Sequence, residues 1–336
     1  MKILITGVHG FVGSNLVEAL KKEHTIYGLD IISPVKDGVQ KTFSWDDLEK
    51  VGSSPETCNV EPETDSLAEL ASVDAIIHLA GKAHDTKNQS AAEVYFKVNT
   101  ELTKKIYDYY LKSKAKKFIF FSSVKAAADR VEGILTEDVV PSPVGPYGES
   151  KIAAERYILS HTDSTEITDN SASQEKRTYI LRPCMIHGPG NKGNLNLLYK
   201  VVKKGIPYPL GAFENKRTFT SIDNLCFIIN GLLTKEVPSG IYNINDDEAL
   251  SSNELIEVMC SAMGKKALIW RIPRGLMEGA AKIGGLLHLP LNPARLQKLT
   301  ENYVSSNAKI KKALGVEQLP VRAKDGLIKT IKSFEK

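Results

Sequence analysis

Apolar and polar positions alternate in blocks through the first half of the chain. Short apolar runs predict buried β-strands at residues 2–6, 25–29, 75–79, 117–121 and 178–181. Helical spacing of apolar residues predicts helices over 11–22, 91–112 and 147–160. Strands that alternate with helices in this order indicate βαβ units. We therefore expect an α/β fold built on a parallel sheet.

The helix predicted over 91–112 carries one apolar stripe, formed by Val94, Val98, Leu102, Ile106 and Tyr109. Such a stripe must be buried against another surface. The spacing leaves open whether that surface is the sheet or a partner subunit.

The pattern changes in two places. Residues 161–176 are rich in Ser, Thr, Asp and Glu, which is typical of a surface loop. Beyond Pro183, Gly, Pro and Asn become frequent and the spacing is less regular. We therefore predict a sheet domain at 1–182, to which a segment near 218–243 returns, and a smaller domain at 183–336.

Composition narrows the class of protein. The chain has 336 residues, of which 42% are hydrophobic and 25% charged, and these are ordinary globular values. A net charge of +4 without a Lys/Arg block gives little support for nucleic-acid binding. The four cysteines lack CxxC spacing, and no apolar run approaches the ~20 residues of a membrane helix. We expect a cytoplasmic protein with no nucleic-acid or membrane partner.

The first predicted strand runs directly into the glycine-rich loop Gly7-Val8-His9-Gly10-Phe11-Val12-Gly13, which opens a helix. The early glycines permit a tight turn and close approach of the backbone to a pyrophosphate. The last glycine lets the helix pack on the strand. Because the helix N-terminus presents free N–H groups, the context predicts a dinucleotide site.

The second predicted strand ends at Asp30, 17 residues after Gly13. A carboxylate there can accept hydrogen bonds from both ribose hydroxyls and repel a 2′-phosphate. The next residues, Ile31-Ile32-Ser33-Pro34, supply no Arg to receive that phosphate. NAD is therefore favoured over NADP.

The segment His78-Leu79-Ala80-Gly81 ends the strand predicted at 75–79, and its small residues suit a backbone that runs against a dinucleotide. We interpret His78 as a packed histidine at a strand end and not as a base. The seven histidines show no metal-ligand spacing, so no metal is predicted.

A candidate catalytic group combines Tyr147, Lys151 and Ser123. Tyr147 and Lys151 stand at i and i+4 at the start of a predicted helix, so both can point into one cleft. A free Tyr has a pKa near ~10, but a nearby ammonium favours the phenolate. Ser122 and Ser123 end a strand, where parallel sheets bind ligands. The group fits proton transfer at a sugar hydroxyl.

With these motifs in order, the sequence resembles the extended short-chain dehydrogenases of the NAD-dependent epimerase/dehydratase family, and its second half looks like the UDP-sugar branch. The resemblance rests on Thr6-Gly7, Gly10-Phe11, Gly13, Asp30, 78–81, Asn99, Ser122-Ser123, Tyr147-Gly148, Lys151, Leu181-Arg182-Pro183, 188–190, 193–195, 207–211 and 216–225. It implies a Rossmann-type doubly wound parallel sheet that binds NAD, a smaller C-terminal α/β domain for a nucleotide-sugar substrate, and a homodimer.

The resemblance also implies residue roles. Ser123, rather than Ser122, falls at the catalytic hydroxyl. The cofactor set comprises Gly7, Gly10, Phe11, Val12, Gly13, Asp30, Ile31, Asn59, Val60, Leu79, Ala80, Gly81, Asn99, Ser122, Tyr147, Lys151 and Pro183. The substrate set comprises Lys82, His84, Lys125, Asn194, Leu195, Arg217 and Arg295, with both arginines toward the diphosphate.

The sequence departs from the family pattern at two informative positions. Dehydratases that it resembles carry Asp-Glu directly after the catalytic hydroxyl, whereas Val124 and Lys125 stand here. The acid/base pair for eliminating water is therefore absent, which disfavours a 4,6-dehydratase. Met185 stands where galactose-type 4-epimerases have a substrate-contacting Asn, so plain UDP-glucose is not the assured substrate.

Three functions remain open from the sequence. A UDP-hexose or UDP-N-acetylhexosamine 4-epimerase of surface-polysaccharide sugar synthesis is favoured, because Asp30 indicates a recycled NAD. A 4-keto UDP-sugar reductase needs the same residues, with Tyr147 as proton donor. A non-catalytic dinucleotide sensor is disfavoured because Ser123, Tyr147 and Lys151 are all intact.

Overall fold

The computed structural model describes residues 1–53, 65–83, 91–162, 176–287 and 291–335. The predictions for Asn59, Val60 and His84, and most of the surface loop predicted at 161–176, lie outside these residues. Among the described residues, no helix is both long and apolar enough to cross a bilayer.

A seven-stranded sheet forms the centre of the molecule, with the strand order β3-β2-β1-β4-β5-β7-β10 and every pairing parallel. The strands of the described chain are β1 (Lys2–Thr6), β2 (Thr25–Leu29), β3 (Val39–Phe43), β4 (Ala75–His78), β5 (Lys117–Phe121), β6 (Ile134–Leu135), β7 (Arg177–Pro183), β8 (Met185–His187), β9 (Phe219–Ser221), β10 (Gly240–Ile244) and β11 (Val304–Ser305). This order, with helices between the strands, confirms the Rossmann-type doubly wound fold.

Helices connect the strands and build the second half. Those described are α1 (Phe11–Leu20), α2 (Trp45–Ser53), α3 (Asp65–Ala71), α4 (Ala92–Tyr95), α5 (Leu102–Lys112), α6 (Val124–Ala127), α7 (Pro146–Thr162), α8 (Asn194–Lys203), α9 (Ile222–Thr234), α10 (Ser252–Ala262), α11 (Arg274–Leu286), α12 (Pro293–Thr300), α13 (Ala308–Leu314) and α14 (Ala323–Ser333). A π-helical turn, Phe96–Glu101, joins α4 to α5 in one continuous helix.

The inner strands are mainly apolar because both sheet faces are covered. Successive side chains of a strand point to opposite faces. Ile3 and Ile5 of β1 accordingly lie in one buried cluster with α1, α9 and α13, while Leu4 lies in another with α5 and α7. This explains why the sequence reads as short continuous apolar runs.

Two strands of the sheet, β3 and β10, were not predicted from the apolar pattern. Strand β3 is an edge strand whose residues are mostly exposed or half-buried, so it lacks an apolar run. Strand β10 pairs with β7 at the opposite edge, and α9 packs on α1, so residues 222–244 complete the sheet layer. The division of the chain into domains at 182/183 stays a prediction.

The apolar stripe predicted on the helix over 91–112 divides between two environments. Ile106 and Tyr109 pack beneath the sheet, Val98 and Leu102 are half-buried, and Val94 is exposed. Because the π-helical turn widens the helix midway, one straight stripe does not continue along one face.

A separate core supports the second half of the chain. Side chains from α8, α10 and α14, including Leu195, Met259 and Leu327, form one buried cluster. A smaller cluster joins α11 and α12 to the segment that holds Leu210. All of these helices follow β7 in the chain.

Candidate active site

The glycine loop leaves a cradle without side chains between β1 and α1. Gly7 has φ +70°, and a Cβ there would lie 3.1 Å from the Ala80 nitrogen. A Cβ on Gly13 would lie 2.8 Å from the Val8 Cα, so the helix could not approach the loop. Gly10 caps α1 without a side-chain hydrogen bond, which leaves the first N–H groups of α1 for a ligand. The cradle fits the pyrophosphate of a dinucleotide.

Asp30 lies beside this loop at the end of β2. Its carboxylate accepts hydrogen bonds from the His9 nitrogen at 3.1 Å and the Ile31 nitrogen at 2.8 Å. A cation that was not predicted from the sequence lies nearby: the Lys36 ammonium donates to the Ser14 hydroxyl of α1 at 2.7 Å. Asp30 is thus fixed against the cradle, where it can meet an adenosine ribose.

His78 is a structural residue at the end of β4. Its two ring nitrogens lie 2.7 Å from the Thr6 hydroxyl and 2.9 Å from the Thr103 hydroxyl. Burial lowers its pKa to about 3, so the ring is neutral. Thr6 also accepts the N–H groups of Leu79 and Ala80. The interpretation of His78 as packed is confirmed, and Thr6 orients the segment that follows β4.

Asn99 connects that segment to the helix that carries Tyr147. Its Oδ1 accepts the Lys82 N–H at 2.7 Å, and its Nδ2 donates to the Ser150 hydroxyl at 3.0 Å. Ser150 in turn donates to the Tyr147 carbonyl at 2.9 Å. The π-helical turn brings Asn99 into this buried position, in keeping with the frequent use of such turns at functional sites. Asn99 therefore holds the segment after β4 and the start of α7 in fixed positions relative to each other.

Tyr147 and Ser123 are neighbours at the starts of α7 and α6. Tyr147 is half-buried in the first turn of α7, and its phenol lies near the Ser123 hydroxyl. Ser123 caps α6 by accepting the Lys125 N–H at 3.2 Å, so its own proton is available to donate. Burial raises the pKa of the phenol, and the neighbouring Ser123 hydroxyl opposes this. A ring contact with the buried Tyr95, 6.5 Å between centroids, fixes the phenol from the other side.

Lys151 lies one helical turn after Tyr147 and is buried. Its ammonium donates to the Phe121 carbonyl at 2.7 Å, which leaves two protons for other acceptors. Burial lowers its pKa to about 8, opposed by the charge of Glu155. A Cβ on Gly81 would lie 3.1 Å from this nitrogen and equally close to the Asn99 Oδ1. The missing side chain at Gly81 thus keeps the space around the ammonium open.

A buried ion pair between Arg182 and Glu155, one helical turn after Lys151, was not predicted from the sequence. Arg182 donates through Nε and a terminal nitrogen to the two carboxylate oxygens of Glu155, at 3.0 and 2.6 Å. Both side chains are at most 1% exposed. The Ser122 hydroxyl donates to the same carboxylate. The side chain of Ser122 is therefore committed to Glu155, so its predicted cofactor contact can come only from the main chain.

The predicted diphosphate residues lie on the second half. The Arg217 guanidinium donates to the Glu301 carbonyl at 3.3 Å and to the Lys298 carbonyl, and it pairs with the Glu301 carboxylate at 3.7 Å. Arg295 lies exposed in the first turn of α12. Arg217 must therefore exchange contacts with the end of α12 in order to bind phosphate oxygens.

The other predicted substrate residues differ in what they can offer. Asn194 is exposed at the start of α8, but the Leu195 side chain is buried in the second core, so only its main chain can face a ligand. The Lys125 ammonium binds Asp129 at 3.1 Å, and Lys82 lies over the Tyr95 ring at 5.6 Å. Lys82 and Lys125 thus place two cations on the segments that follow β4 and β5. Within the described residues there is no cluster of His, Cys, Asp and Glu able to hold a metal ion.

A comparison with known proteins identifies the family of this chain. Residues 3–245 match the NAD dependent epimerase/dehydratase family. The match covers the whole glycine loop, the Ser123–Tyr147–Lys151 group and strand β10. The chain therefore belongs to this family.

Three relatives indicate the range of this similarity. A UDP-glucose 4-epimerase from Vibrio cholerae is 32% identical over 81% of this chain and 78% of its own length. An N-acetyl-α-D-glucosaminyl-diphospho-ditrans,octacis-undecaprenol 4-epimerase from Escherichia coli O157:H7 is 26% identical over 94% of this chain and 86% of its own. The solved UDP-N-acetylglucosamine 4-epimerase from Bacillus cereus aligns with a TM-score of 0.74 at 20% identity, covering 100% of both chains, and shows the shared fold.

Asp30 predicts the cofactor preference. We expect NAD(H) to bind at least tenfold more tightly than NADP(H), about 1.4 kcal/mol, because a 2′-phosphate would meet the carboxylate. Asp30→Asn should reduce this ratio by removing the charge while keeping the shape. Calorimetry with both cofactors is the measurement, and equal or tighter NADP(H) binding to the native protein would contradict it. Lys36→Gln is the matched control, since it removes the nearby cation instead.

Lys151 predicts a combined loss of activity and cofactor affinity. Lys151→Ala removes the ammonium that supports the Tyr147 phenolate and that can hold the nicotinamide ribose. We expect both kcat and NAD affinity to fall, whereas Ser123→Ala should lower kcat less than Tyr147→Phe and leave NAD affinity unchanged. Steady-state kinetics and calorimetry check this, and unchanged NAD affinity in Lys151→Ala would remove the second role.

Proposed function

We propose that the protein is an NAD-dependent 4-epimerase of a hexose or N-acetylhexosamine carried on a diphosphate. The observation that carries this proposal is that the Tyr147 phenol and the Ser123 hydroxyl are neighbours, one helical turn before Lys151, whose buried ammonium lies beside Gly81. The family membership and the epimerases among the relatives support it.

Tyr147 exchanges the proton of the sugar hydroxyl at C4. Ser123 donates its proton to the same oxygen, since accepting the Lys125 N–H leaves its own O–H free to donate. Burial raises the pKa of the phenol and so disfavours the phenolate, which is the form that accepts the proton. The phenolate therefore needs positive charge nearby. With a pKa of about 8, Lys151 is mostly charged at neutral pH and supplies part of it. Bound NAD supplies the hydride acceptor and donor of the exchange at C4.

The diphosphate part of the substrate is assigned to the second half of the chain. Arg217 and Arg295 offer guanidinium groups suited to paired phosphate oxygens. Neither Val124 nor Lys125 can act as the acid/base pair that eliminates water, so we favour epimerisation over 4,6-dehydration. A UDP-sugar is the first candidate, and the similarity to the undecaprenyl-linked epimerase adds a lipid-linked sugar diphosphate.

A substrate panel tests the proposed function. Purified protein is incubated with UDP-glucose, UDP-N-acetylglucosamine and N-acetylglucosaminyl-diphospho-undecaprenol, without added reductant, and the C4 epimer is measured by chromatography. Epimer formation supports the proposal. Turnover only of a 4-keto UDP-sugar with stoichiometric NAD(P)H would instead identify a reductase. Cofactor binding without any turnover would identify a sensor.

The assembly is proposed as a homodimer. Val94 and Leu159 are exposed, and Val98 and Leu102 are half-buried, on the helices that contain the π-helical turn and α7. Pairing of these helices across a two-fold axis would bury this surface. We expect light scattering to give about twice the protomer mass of 36.9 kDa, and a monomer at micromolar concentration would refute the dimer.

Free thiols at Cys184, Cys226 and Cys260 accord with a cytoplasmic location, which we propose as well.

A further inference from the structure

Helix α11 carries an apolar face that points to solvent. Leu276, Ala280, Ile283 and Leu287 follow the spacing i, i+4, i+7, i+11, which places them on one side of the helix and its C-terminal end. Leu276 is 67% exposed, Ile283 61% and Leu287 61%. A run of large apolar side chains this exposed is unusual on a protein surface that contacts only water.

This face is not the one that holds the helix in the fold. Met277, Ala281 and Gly284 lie on the adjacent side of α11 and are buried. Met277 and Ala281 pack with Leu210 and with Leu296 of α12. The outward leucines and isoleucine therefore contribute little to packing and are available to another surface.

The segment directly before α11 also exposes large apolar side chains. Leu268 and Trp270 alternate along an extended segment that is hydrogen-bonded to Tyr208, and both are about half exposed. Alternate residues of an extended segment point to one side. Trp is the residue type that settles at membrane–water interfaces, because its ring is apolar and its N–H is polar.

Positive charge is concentrated in the same stretch of chain. Residues 265–300 contain seven Lys or Arg and a single acidic residue, Glu278, whereas the other 300 residues of the chain hold 37 basic and 39 acidic residues. Lys265, Lys266, Lys282 and Arg274 are all exposed. The excess is spread along the segment instead of forming a block, so the overall net charge of +4 conceals it.

We propose that α11 and the segment at 265–271 bind the surface of an anionic phospholipid bilayer. An amphipathic helix with apolar residues on one side and basic residues at its borders lies in the plane of a membrane with its apolar side among the acyl chains. The 13 residues of α11 are too few to span a bilayer. The sequence-based expectation of no membrane partner rested on the lack of a spanning run, and a helix that lies in the plane of the membrane needs no such run. A nucleic acid would not use the apolar stripe, and a second copy would bring the same positive charge against itself.

The contact gives the cleft an orientation. Helix α12 packs on α11, and the Arg217 guanidinium lies against the carbonyls of Lys298 and Glu301 at the end of α12. A docked protein would therefore hold the diphosphate end of its cleft beside the bilayer, within reach of a sugar diphosphate whose lipid stays in the membrane. This consequence rests on the proposed function, whereas membrane binding itself does not.

Vesicle sedimentation tests the proposal without any substrate. The purified full chain is mixed with vesicles of phosphatidylcholine alone, or of phosphatidylcholine with phosphatidylglycerol, and the partition coefficient is measured. We expect binding to the anionic vesicles, weakening as salt is raised. The double variant Leu276→Asp/Ile283→Asp should bind at least tenfold more weakly. The matched control Ile134→Asp/Val140→Asp alters two apolar residues that are 63% and 84% exposed elsewhere, and it should bind like the native chain.

A charge variant and two further measurements complete the test. Each of Lys266→Glu and Lys282→Glu should weaken anionic-vesicle binding at least about fivefold, equivalent to about 1 kcal/mol. Failure of the native chain to bind anionic vesicles, or unchanged binding by Leu276→Asp/Ile283→Asp, would overturn the proposal. So would a fall in oligomer size of that variant by light scattering, since a second copy would then cover the face. Retained turnover of a nucleotide-linked sugar by the variant separates this result from any failure of the proposed function.

Discussion

Replacing Tyr147 with Phe is expected to lower kcat by about 10²–10⁴-fold while the protein stays folded and binds NAD. The substitution removes one oxygen. The Tyr95 ring contact and the first turn of α7 do not depend on that oxygen. The proton of the sugar hydroxyl then has no acceptor beside Ser123, because the charged Lys151 ammonium can only donate hydrogen bonds. The loss should fall on kcat because the phenol contributes in the transition state.

The experiment compares Tyr147→Phe with Tyr95→Phe on whichever sugar the native enzyme accepts. Tyr95→Phe removes a phenol oxygen from the neighbouring ring, so it controls for a general effect of losing a hydroxyl near the cleft. Circular dichroism and NAD calorimetry verify folding and cofactor binding. Near-native turnover by Tyr147→Phe would show that another group moves the proton.

Local motifs predicted the part of the site that depends on neighbouring residues. The glycine loop specifies a turn, a cradle and a helix start within seven residues, and Tyr147 and Lys151 are related by one helical turn. The chemistry at these positions follows from residue type and short spacing. Where Tyr147 lies relative to the glycine loop depends instead on the order of the strands in the sheet.

Long-range partners were not predictable in the same way. Asn99 reaches Ser150 across 51 positions, and Arg182 reaches Glu155 across 27, so no periodicity links either pair. Arg217 was predicted to bind a diphosphate, but its guanidinium donates to the carbonyl of Lys298, 81 positions away at the end of α12. Strand β3 was missed for a different reason, because an edge strand with exposed residues leaves no apolar signature.

The surface of α11 illustrates a third limit. Its leucines and isoleucine obey helical spacing, which by itself predicts a buried stripe. Two apolar sides compete on this helix, and the smaller one, with Met277 and Ala281, is the one that packs inward. Only the packing against α12 distinguishes the sides, so an exposed apolar face could not be separated from a core face by pattern.

Breaking the buried Glu155–Arg182 pair is expected to destabilise the fold by about 3–5 kcal/mol. Glu155→Gln keeps the shape of the side chain but leaves the Arg182 guanidinium buried without a counter-charge. Arg182→Met leaves the carboxylate in the same position. Both side chains are at most 1% exposed, so water cannot replace the missing partner without opening the core. A loss of this size is a large share of the stability of an ordinary domain.

The double variant Glu155→Gln/Arg182→Met provides the decisive comparison. With both charges gone, no uncompensated ion remains, so its loss in the free energy of unfolding should be clearly smaller than the sum of the two single losses. Urea unfolding of the native protein and the three variants gives the coupling energy. Additive single losses would show instead that the pair is a packing contact whose charges are already compensated by Ser122 and the surrounding main chain.

Glu155→Gln also removes the carboxylate that opposes the lowering of the Lys151 pKa, so that pKa should fall below about 8. If the Lys151 charge supports Tyr147, the activity of Glu155→Gln should fall as the pH rises from 7 to 8, because Lys151 loses its proton in this range. Activity that does not change with pH between 7 and 8 would contradict the coupling of the two residues.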